Sequence, residues 1–257
     1  MTSPVAWLRR ARLRALLARQ LENWDAVWTA YERGSALPVL RFRDGRTFHH
    51  GPRDAPVFLF LEIFANRCYS RLTPSHVTGP IVDIGANIGA FTLECAARHP
   101  ASVIHAYEPD PISRDVLRHN VAANGLDARV TIWPEAVAAG DGEIDFRQSE
   151  ASLESGSLAS AGCTMRVASV SLETVLTRAG GAAGLLKIDA EGAEVEILET
   201  ATGITRAGHI VGEFHPWLVE NARQRLQAAL SADFDVDFIV NRRCGTMFAA
   251  SARVRSR

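Results

Sequence analysis

Ile81-Val-Asp-Ile-Gly-Ala-Asn-Ile-Gly-Ala-Phe-Thr92 is the stretch that decides the fold. A short apolar run leads into the turn Gly85-Ala-Asn-Ile-Gly89, after which apolar residues return at helical spacing. The pattern predicts a strand, a tight turn and a helix. Glycines in such a turn adopt backbone angles closed to other residues and let a ligand approach the positive end of the helix. We therefore expect a nucleotide-like ligand here.

Two alternatives remain for this turn. The turn lacks the middle glycine of the dinucleotide fingerprint G-x-G-x-x-G. Binding of a nicotinamide dinucleotide for hydride transfer is therefore a less favoured alternative. A turn without a ligand is the other alternative, because short glycine motifs often arise by chance. Asp83 favours a ligand, since an acid at the end of an apolar strand is placed to hold an ammonium group, directly or through water.

The length and composition indicate one α/β domain with a sizeable core and an N-terminal extension, since 47% of the 257 residues are hydrophobic. We expect residues 1–70 to form a helix, a hairpin and a cap, and residues 71–257 to form the main domain. The formal net charge is −1, and basic residues are dispersed beyond the first twenty positions. This charge pattern disfavours nucleic acid as a partner.

Cysteine spacing and hydropathy bear on the compartment. Cys68, Cys95, Cys163 and Cys244 are far apart and form no metal-ligand pair, which suggests buried or incidental thiols in a reducing compartment. No apolar run approaches the ~20 residues that span a bilayer, and the start lacks the apolar region of a signal peptide. We therefore expect a cytoplasmic protein without a transmembrane segment.

The first seventy residues precede the main domain. The spacing of leucines and tryptophans predicts one helix over residues 3–33, with arginines beside its apolar stripe. Such a helix can lie on an anionic membrane, but we favour packing of the stripe on the domain or on a second subunit, as in a homo-oligomer. A hairpin with Asp44-Gly45 at its tip is predicted over residues 39–48, and a short helix over residues 55–66.

A second strand, residues 102–107, ends at Glu108. This acid lies 23 residues after Gly85, close to the ~20-residue offset at which nucleotide-binding βαβ units place an acid on the ribose hydroxyls. Pro109 and Pro111 fix the backbone where the strand delivers that carboxylate. We therefore assign Glu108 to the ribose rather than to a surface turn.

The rest of the chain alternates helices and strands. We expect a helix over residues 112–123, a third strand over residues 129–133 and a helix that begins after its cap Ser171. A small β insertion is predicted between Val137 and Val170, with a loop at residues 149–162 that either closes over substrate or has no function. The last helix is predicted over residues 217–231, before an antiparallel closing hairpin. The alternation implies a mostly parallel sheet with helices on both faces.

Polar residues mark two further strand ends. An apolar strand ends at Asp189, and the following helix is expected to start with Glu191 and Glu194 near its positive end. The next strand, residues 209–214, ends beside Glu213 and His215, which share one face. Acids at the carboxyl ends of parallel strands lie in the ligand crevice of an open sheet. A structural role for His215 is about as well supported as a chemical one.

Five motifs in this order resemble the FkbM family of methyltransferases. They are Glu62-Ile-Phe-Ala-Asn-Arg-Cys-Tyr69, Asp83-x-Gly-Ala-Asn-x-Gly-x-Phe-Thr92, Tyr107-Glu-Pro109, Lys187-Ile-Asp-Ala-Glu-Gly-Ala-Glu194 and Glu213-x-His215. Each motif alone is weak, and the five together are specific. The resemblance covers roughly residues 62–254.

The resemblance implies a class I, Rossmann-like methyltransferase sheet of seven strands that uses S-adenosylmethionine, a cofactor with an ammonium group. The implied reaction is methylation of a hydroxyl on a sugar, lipid or natural-product scaffold, with a small-molecule or glycan substrate. The cofactor-binding residues that it implies are Tyr69, Asp83, Gly85, Ala86, Asn87, Gly89, Phe91, Thr92, Glu108, Pro109, Glu135, Ala136 and Asp189.

Methylation of an alcohol requires a base as well as close alignment of donor and acceptor. His215 is the candidate base, with Asp189 or Glu213 orienting it. A divalent cation held by the same three residues is an alternative that the sequence favours less, so no metal ligand is assigned. A non-catalytic ligand-binding or scaffold protein with this fold is a further alternative, against which the retained acids argue.

Overall fold

The computed structural model describes residues 4–148, 163–241 and 245–253, so the predicted loop at residues 149–162 lies outside the described residues. The helices and strands of the described parts are, in order, α1 (Pro4–Gln20), α2 (Trp24–Arg33), β1 (Leu40–Arg41), β2 (Thr47–Phe48), α3 (Pro56–Leu59), a π-helix (Phe60–Ala65), β3 (Ile81–Ile84), α4 (Ala90–Arg98), β4 (Ile104–Tyr107), α5 (Pro111–Ala123), β5 (Val130–Trp133), β6 (Ala136–Val137), β7 (Gly142–Gln148), β8 (Cys163–Val170), α6 (Leu172–Arg178), β9 (Leu185–Ile188), α7 (Glu194–Thr200), a 3₁₀ turn (Ile204–Arg206), β10 (His209–Glu213), α8 (Ala222–Leu230), β11 (Phe234–Asn241) and β12 (Gly245–Ala252).

The central sheet confirms the predicted fold class. Its seven strands lie in the order β11-β12-β10-β9-β3-β4-β5. The five strands from β10 to β5 are parallel, and β12 runs antiparallel to both β10 and β11. All four residues of β3 are buried, as is typical of a central parallel strand covered on both faces.

Helices cover both faces of this sheet. On one face, side chains of β3 and β4 such as Ile81 and Ile104 pack with α4, α5 and the N-terminal helices. On the other face, Val82 and Ile84 pack with α6, α7 and α8. The alternation along β3 follows from the two-residue period of a strand.

The predicted single helix over residues 3–33 is wrong, because α1 and α2 are separate helices. Leu21 leaves the helical path to form a β-bridge with Phe42 of the hairpin. The Asn23 side chain then accepts a hydrogen bond from the backbone N–H of Arg41, which holds the hairpin at the break. Leu13, Leu17 and Leu21 of the stripe are buried in the core, whereas residues near the start of α1 are exposed. The stripe therefore packs largely on the domain, and a homo-oligomer remains a prediction.

The predicted hairpin is present, with β1 antiparallel to β2 and Gly45 at φ +89° in its turn. The short helix that we expected over residues 55–66 starts as α3 and continues as a π-helix, whose wider turn is often found at functional sites. The β insertion is also present as the small sheet β6-β8-β7.

Two other predicted helices start later than expected. The helix expected at Glu191 begins at Glu194, because Glu191 and Gly192 have positive φ values that interrupt a right-handed helix. The carboxylate of Glu194 accepts hydrogen bonds from the backbone N–H groups of Ala190 and Gly192 and so closes this turn. The last helix begins at Ala222 rather than at residue 217, since Asn221 before it has φ +54°.

Cys68 is disulfide-bonded, so the expectation that the cysteines are thiols is wrong for this residue. Cys95 is free and buried.

In the parts of the chain that the structure describes, every helix is too short or too polar to cross a bilayer.

Candidate active site

A cleft of about 420 Å³ opens at the carboxyl ends of β3, β4, β9 and β10. This is the edge where an open parallel sheet binds its ligands. The cleft is lined by Phe58, Leu59, Glu62, Ile63, Tyr69, Gly85, Ala86, Asn87, Ile88, Ala90, Phe91, Glu108, Lys187, Asp189, Glu191, Glu213, His215 and Trp217.

The turn after β3 forms the floor of the cleft. Gly85 has φ +71°, and a Cβ atom there would lie 1.8 Å from the backbone carbonyl oxygen of Asp189. Gly89 has φ +89°, and a Cβ atom there would lie 2.5 Å from Cδ1 of Leu117. The side-chain oxygen of Asn87 is buried without a hydrogen-bond partner among the described residues. The turn therefore requires its glycines and offers an unpaired acceptor on a residue that lines the cleft.

Asp83 lies in β3, the strand that leads into this turn, and is not among the residues that line the cleft. Its carboxylate is fully buried, accepts a hydrogen bond of 2.6 Å from the Thr92 hydroxyl and lies 3.2 Å from the Lys187 ammonium. Direct contact between Asp83 and a ligand ammonium group is therefore blocked. Asp83 instead fixes Thr92 at the start of α4.

Lys187 is the single lysine of the chain and the centre of the polar network under the cleft. Its ammonium donates to the backbone carbonyl oxygens of Ile84 and Gly85 and lies 3.7 Å from Asp189. Burial alone would lower its pKa, but Asp83 and Asp189 outweigh burial, so the pKa is raised and Lys187 stays charged. The lysine thus ties the turn to β9.

Glu108 directly follows the end of β4 and lines the cleft. One carboxylate oxygen accepts the backbone N–H of Asn87 and the other accepts that of Asp110, each at 2.7 Å. The side chain is only 6% exposed, and burial raises its pKa to about 7, although the two backbone hydrogen bonds act in the opposite direction. The two amides hold the carboxylate in a fixed orientation, and each oxygen keeps a lone pair for a ligand hydroxyl.

A smaller cavity adjoins the cleft beyond Glu108 and is mostly apolar. Its wall includes Pro109, Ala136, Ile144 and Phe146. A lining of this kind suits an apolar part of a ligand. Glu135 does not line this cavity, because its carboxylate pairs with the Arg178 guanidinium at 3.0 Å.

Four carboxylates other than Glu108 line the cleft: those of Glu62, Asp189, Glu191 and Glu213. Burial, followed by the charge of Asp189, raises the pKa of Glu62 to about 7, of Glu191 to about 8 and of Glu213 to about 9. Asp189 itself accepts a hydrogen bond of 2.9 Å from the Tyr69 hydroxyl. The site therefore holds excess acid groups, which favours a positively charged ligand.

His215 lies among these acids and is only 4% exposed. Its Nδ1 lies 3.0 Å from Oε1 of the fully buried Glu194, and its Nε2 lies 3.5 Å from Oε2 of Glu191. Burial acts to lower the pKa of His215, but Glu194, Asp189 and Glu191 outweigh it and raise the pKa to about 10. We had expected Asp189 or Glu213 to orient this ring, whereas Glu194 is the acid that contacts Nδ1.

The structure also brings together a set of residues that could hold a metal ion. One ligand atom from each of Asp189, Glu191 and His215 lies within 4.8 Å of the other two. This set differs from the one that the sequence suggested, because Glu191 takes the place of Glu213. Carboxylate and imidazole groups suit several divalent cations.

Most of the predicted site residues converge on the two cavities. Those in the cleft are Tyr69, Gly85, Ala86, Asn87, Phe91, Glu108, Asp189, Glu213 and His215, and those in the smaller cavity include Pro109 and Ala136. The predicted residues outside both linings are Asp83, Gly89, Thr92 and Glu135.

Sequence reasoning left Glu62, Lys187, Glu191 and Glu194 out of the predicted site. All four stand within the family motifs, which was the available signal. Helix capping explained Glu191 and Glu194 equally well from sequence alone.

Comparisons with known proteins find similarity to methyltransferases. The Methyltransferase FkbM domain family matches residues 83–245, more than half of the chain. The 31-O-demethyl-FK506 methyltransferase FkbM of Streptomyces tacrolimicus is 30% identical over an alignment of 213 residues, and the match covers 70% of this chain and 82% of that protein. Methyltransferase sdnD of Sordaria araneosa is 44% identical over 68 residues, 26% of each chain.

A solved structure shares the fold. The crystal structure of Methyltransferase FkbM from Methylobacillus flagellatus KT superposes with a TM-score of 0.53 at 14% identity. The match covers 95% of this chain and 59% of that chain, so this chain spans less than two thirds of that protein.

Proposed function

The chain belongs to the FkbM family of methyltransferases, and from this premise we propose that it uses S-adenosylmethionine to methylate a hydroxyl group of a sugar, lipid or natural-product scaffold. The observation that carries the proposal is the position of Glu108. Its buried carboxylate stands where the polar cleft meets the smaller apolar cavity. A nucleoside needs this combination of an acceptor for its ribose and an apolar slot for its base.

The residues of both cavities fit this cofactor. Glu108 would accept the ribose hydroxyls, and Pro109, Ala136 and Phe146 would contact the adenine. Asn87 has an unpaired acceptor oxygen, which suits a donor such as the cofactor ammonium group. Gly85 keeps the floor free of side-chain atoms. The excess of acids around Asp189 would stabilise the positive charge of the sulfonium.

S-adenosylmethionine, when bound, supplies a methyl group that a nucleophile can displace from sulfur. The protein has to hold the acceptor hydroxyl in line and remove its proton as the new bond forms. His215 is the residue we assign to the proton, which it would accept at Nε2, since Nδ1 faces Glu194. Its raised pKa means that the ring is protonated in the ligand-free protein at neutral pH, and a cationic donor in the same cleft would lower that pKa.

The mouth of the cleft supports a hydroxylated scaffold as acceptor. Phe58 and Trp217 line the cleft and remain 53% and 66% exposed, so they offer apolar contacts at its entrance. Glu62 and Glu213 lie inside, where carboxylates can accept hydrogen bonds from hydroxyl groups. The relative from Streptomyces tacrolimicus is named for its action on 31-O-demethyl-FK506, which makes hydroxylated natural products the first acceptors to assay.

The replacement His215→Ala tests the assigned chemistry. Methyl transfer from labelled S-adenosylmethionine to an accepted substrate should fall by ~10²- to 10⁴-fold, the usual contribution of a positioned base, while donor binding stays nearly unchanged. His76→Ala, which removes an exposed histidine, is the control and should retain full activity. A His215→Ala enzyme with the parent rate would exclude His215 as the base.

Chelation separates base catalysis from metal catalysis at the same residues. With His215 as the base, turnover should be insensitive to EDTA. Turnover that is lost on chelation and restored by a divalent cation would instead assign Asp189, Glu191 and His215 to a metal ion that holds the acceptor oxygen.

A further inference from the structure

A second concave site lies on the N-terminal part of the molecule, with its own set of lining residues. It is a pocket of about 410 Å³, within the ~300–1,000 Å³ typical of small-molecule sites. Five arginines from separate segments converge on it: Arg19 of α1, Arg43 and Arg46 of the hairpin, and Arg67 and Arg71 after the π-helix. The function proposed above uses none of them.

The residues that line this pocket carry a net positive charge, whereas the chain as a whole is close to neutral. Asp44 is the one acid among the lining residues, against five guanidinium groups, whereas the complete chain has a formal net charge of −1. The Asp44 carboxylate forms an ion pair with the Arg46 guanidinium, with an N–O distance of 2.7 Å. The lining is therefore strongly positive, and like charges held together in this way favour an anion between them.

Two of the five arginines are held in place before any ligand arrives. Arg46 forms ion pairs with Asp44 and Glu94, and its guanidinium lies 5.1 Å from the centre of the Phe42 ring. Arg43 donates two hydrogen bonds to the backbone carbonyl oxygen of Ala18. These two guanidinium groups therefore contribute fixed positive charge to the wall of the pocket.

The other three arginines keep their donors available. Across the described residues, Arg19, Arg67 and Arg71 form neither an ion pair nor a side-chain hydrogen bond, and all three are exposed. The backbone of Arg67 has φ +56°, an unusual conformation for a residue with a side chain. Planar guanidinium groups bind phosphate through paired hydrogen bonds, more specifically than ammonium groups do.

We propose that this arginine pocket binds a multiply charged phosphate group, such as a diphosphate, outside the methyl-transfer cleft. The number of available guanidinium groups matches a ligand with several phosphate oxygens better than a single carboxylate. A soluble diphosphate and a phospholipid headgroup share this chemistry, and the experiment distinguishes them.

Titration calorimetry of the full chain with inorganic pyrophosphate at low salt tests the proposal. The wild type should bind with about one-to-one stoichiometry. The double variant R19Q/R71Q, which changes two exposed side chains, should bind at least about tenfold more weakly, since it removes two charged donors from the pocket. The control R118Q/R166Q removes the same charge from exposed arginines elsewhere and should bind like the wild type.

Vesicle flotation identifies the source of the phosphate. Binding to phosphatidylglycerol vesicles that R19Q/R71Q loses and that pyrophosphate competes away would assign the pocket to a lipid headgroup. Pyrophosphate binding without vesicle binding would assign it to a soluble phosphate. Wild-type protein that binds neither probe, or a control variant weakened as much as R19Q/R71Q, would overturn the proposal.

Discussion

At the scale of single residues, the contact between Glu194 and His215 holds the ring of the histidine that we propose as the base. Glu194 is fully buried, and its carboxylate also accepts two backbone N–H groups of the turn before α7. It is therefore fixed on both sides, and it fixes the ring of His215 in turn. Nε2 is left as the ring nitrogen on the side of Glu191.

The replacement Glu194→Gln should lower the pKa of His215 from about 10 toward its ordinary value of 6.5, because the nearest negative charge is lost. The pH at which the enzyme gains activity should move down with it, since the base must be deprotonated to act. Ring-proton NMR, with His215→Ala to assign the signal, measures this pKa without a substrate. Glu196→Gln, which changes an exposed residue in the first turn of the same helix, is the control. An unchanged titration in Glu194→Gln would show that Glu194 does not set the charge of His215.

Residue roles were partly readable from the sequence. Glu108 and Asp189 could be placed in the cleft because each ends a parallel strand, and strand ends meet at one edge of the sheet. Glu194 could not be identified as the partner of His215, because that contact joins the first residue of α7 to the segment that follows β10. Asp83 was placed in the right strand, but its burial depends on Lys187, which comes more than one hundred residues later.

At the scale of elements, local patterns predicted the strands better than the helices. The apolar runs that became β3, β4, β5 and β9 are short and bounded by turns, so their positions followed from the sequence. The break between α1 and α2 did not, because Leu21 turns away to pair with the hairpin. A contact between two elements that the sequence separates thus overrode the local helical pattern.

The N-terminal helix offers a matched pair of substitutions. Leu17 is fully buried and Leu8 is 60% exposed, and both lie in α1. Leu17→Ala should lower the free energy of unfolding by ~2–5 kcal/mol, the usual cost of a cavity in a core. Leu8→Ala should change it by no more than about 0.5 kcal/mol. Chemical denaturation measures both, and equal effects would contradict the packing of this helix on the domain.

At the scale of the whole molecule, four glutamates that line the cleft couple stability to pH. The folded protein raises the pKa of Glu62, Glu108, Glu191 and Glu213 from 4.5 to between about 7 and about 9. Above pH 4.5 the unfolded chain has released these protons while the folded chain retains them, so stability falls as the pH rises toward 9. His215 acts with the same sign between pH 6.5 and about 10, because its folded pKa is also raised.

The ligand-free protein should therefore melt at a lower temperature at pH 9 than at pH 6. Glu213→Gln should reduce the difference, because it removes the acid with the highest of these pKa values. Thermal denaturation followed by circular dichroism over this range makes the measurement. A melting temperature that rises with pH would show that the acids are ionised in the folded protein.

We propose that the cleft at the strand ends binds S-adenosylmethionine through Glu108. Titration calorimetry with S-adenosylhomocysteine on wild type and Glu108→Ala tests it most directly. Loss of the ribose contact should cost on the order of 1.5 to 3 kcal/mol, or roughly 10- to 150-fold in affinity. Glu143→Ala, at an exposed position of β7, is the control and should bind like wild type. Equal affinity of wild type and Glu108→Ala, or no binding by wild type, would contradict the account.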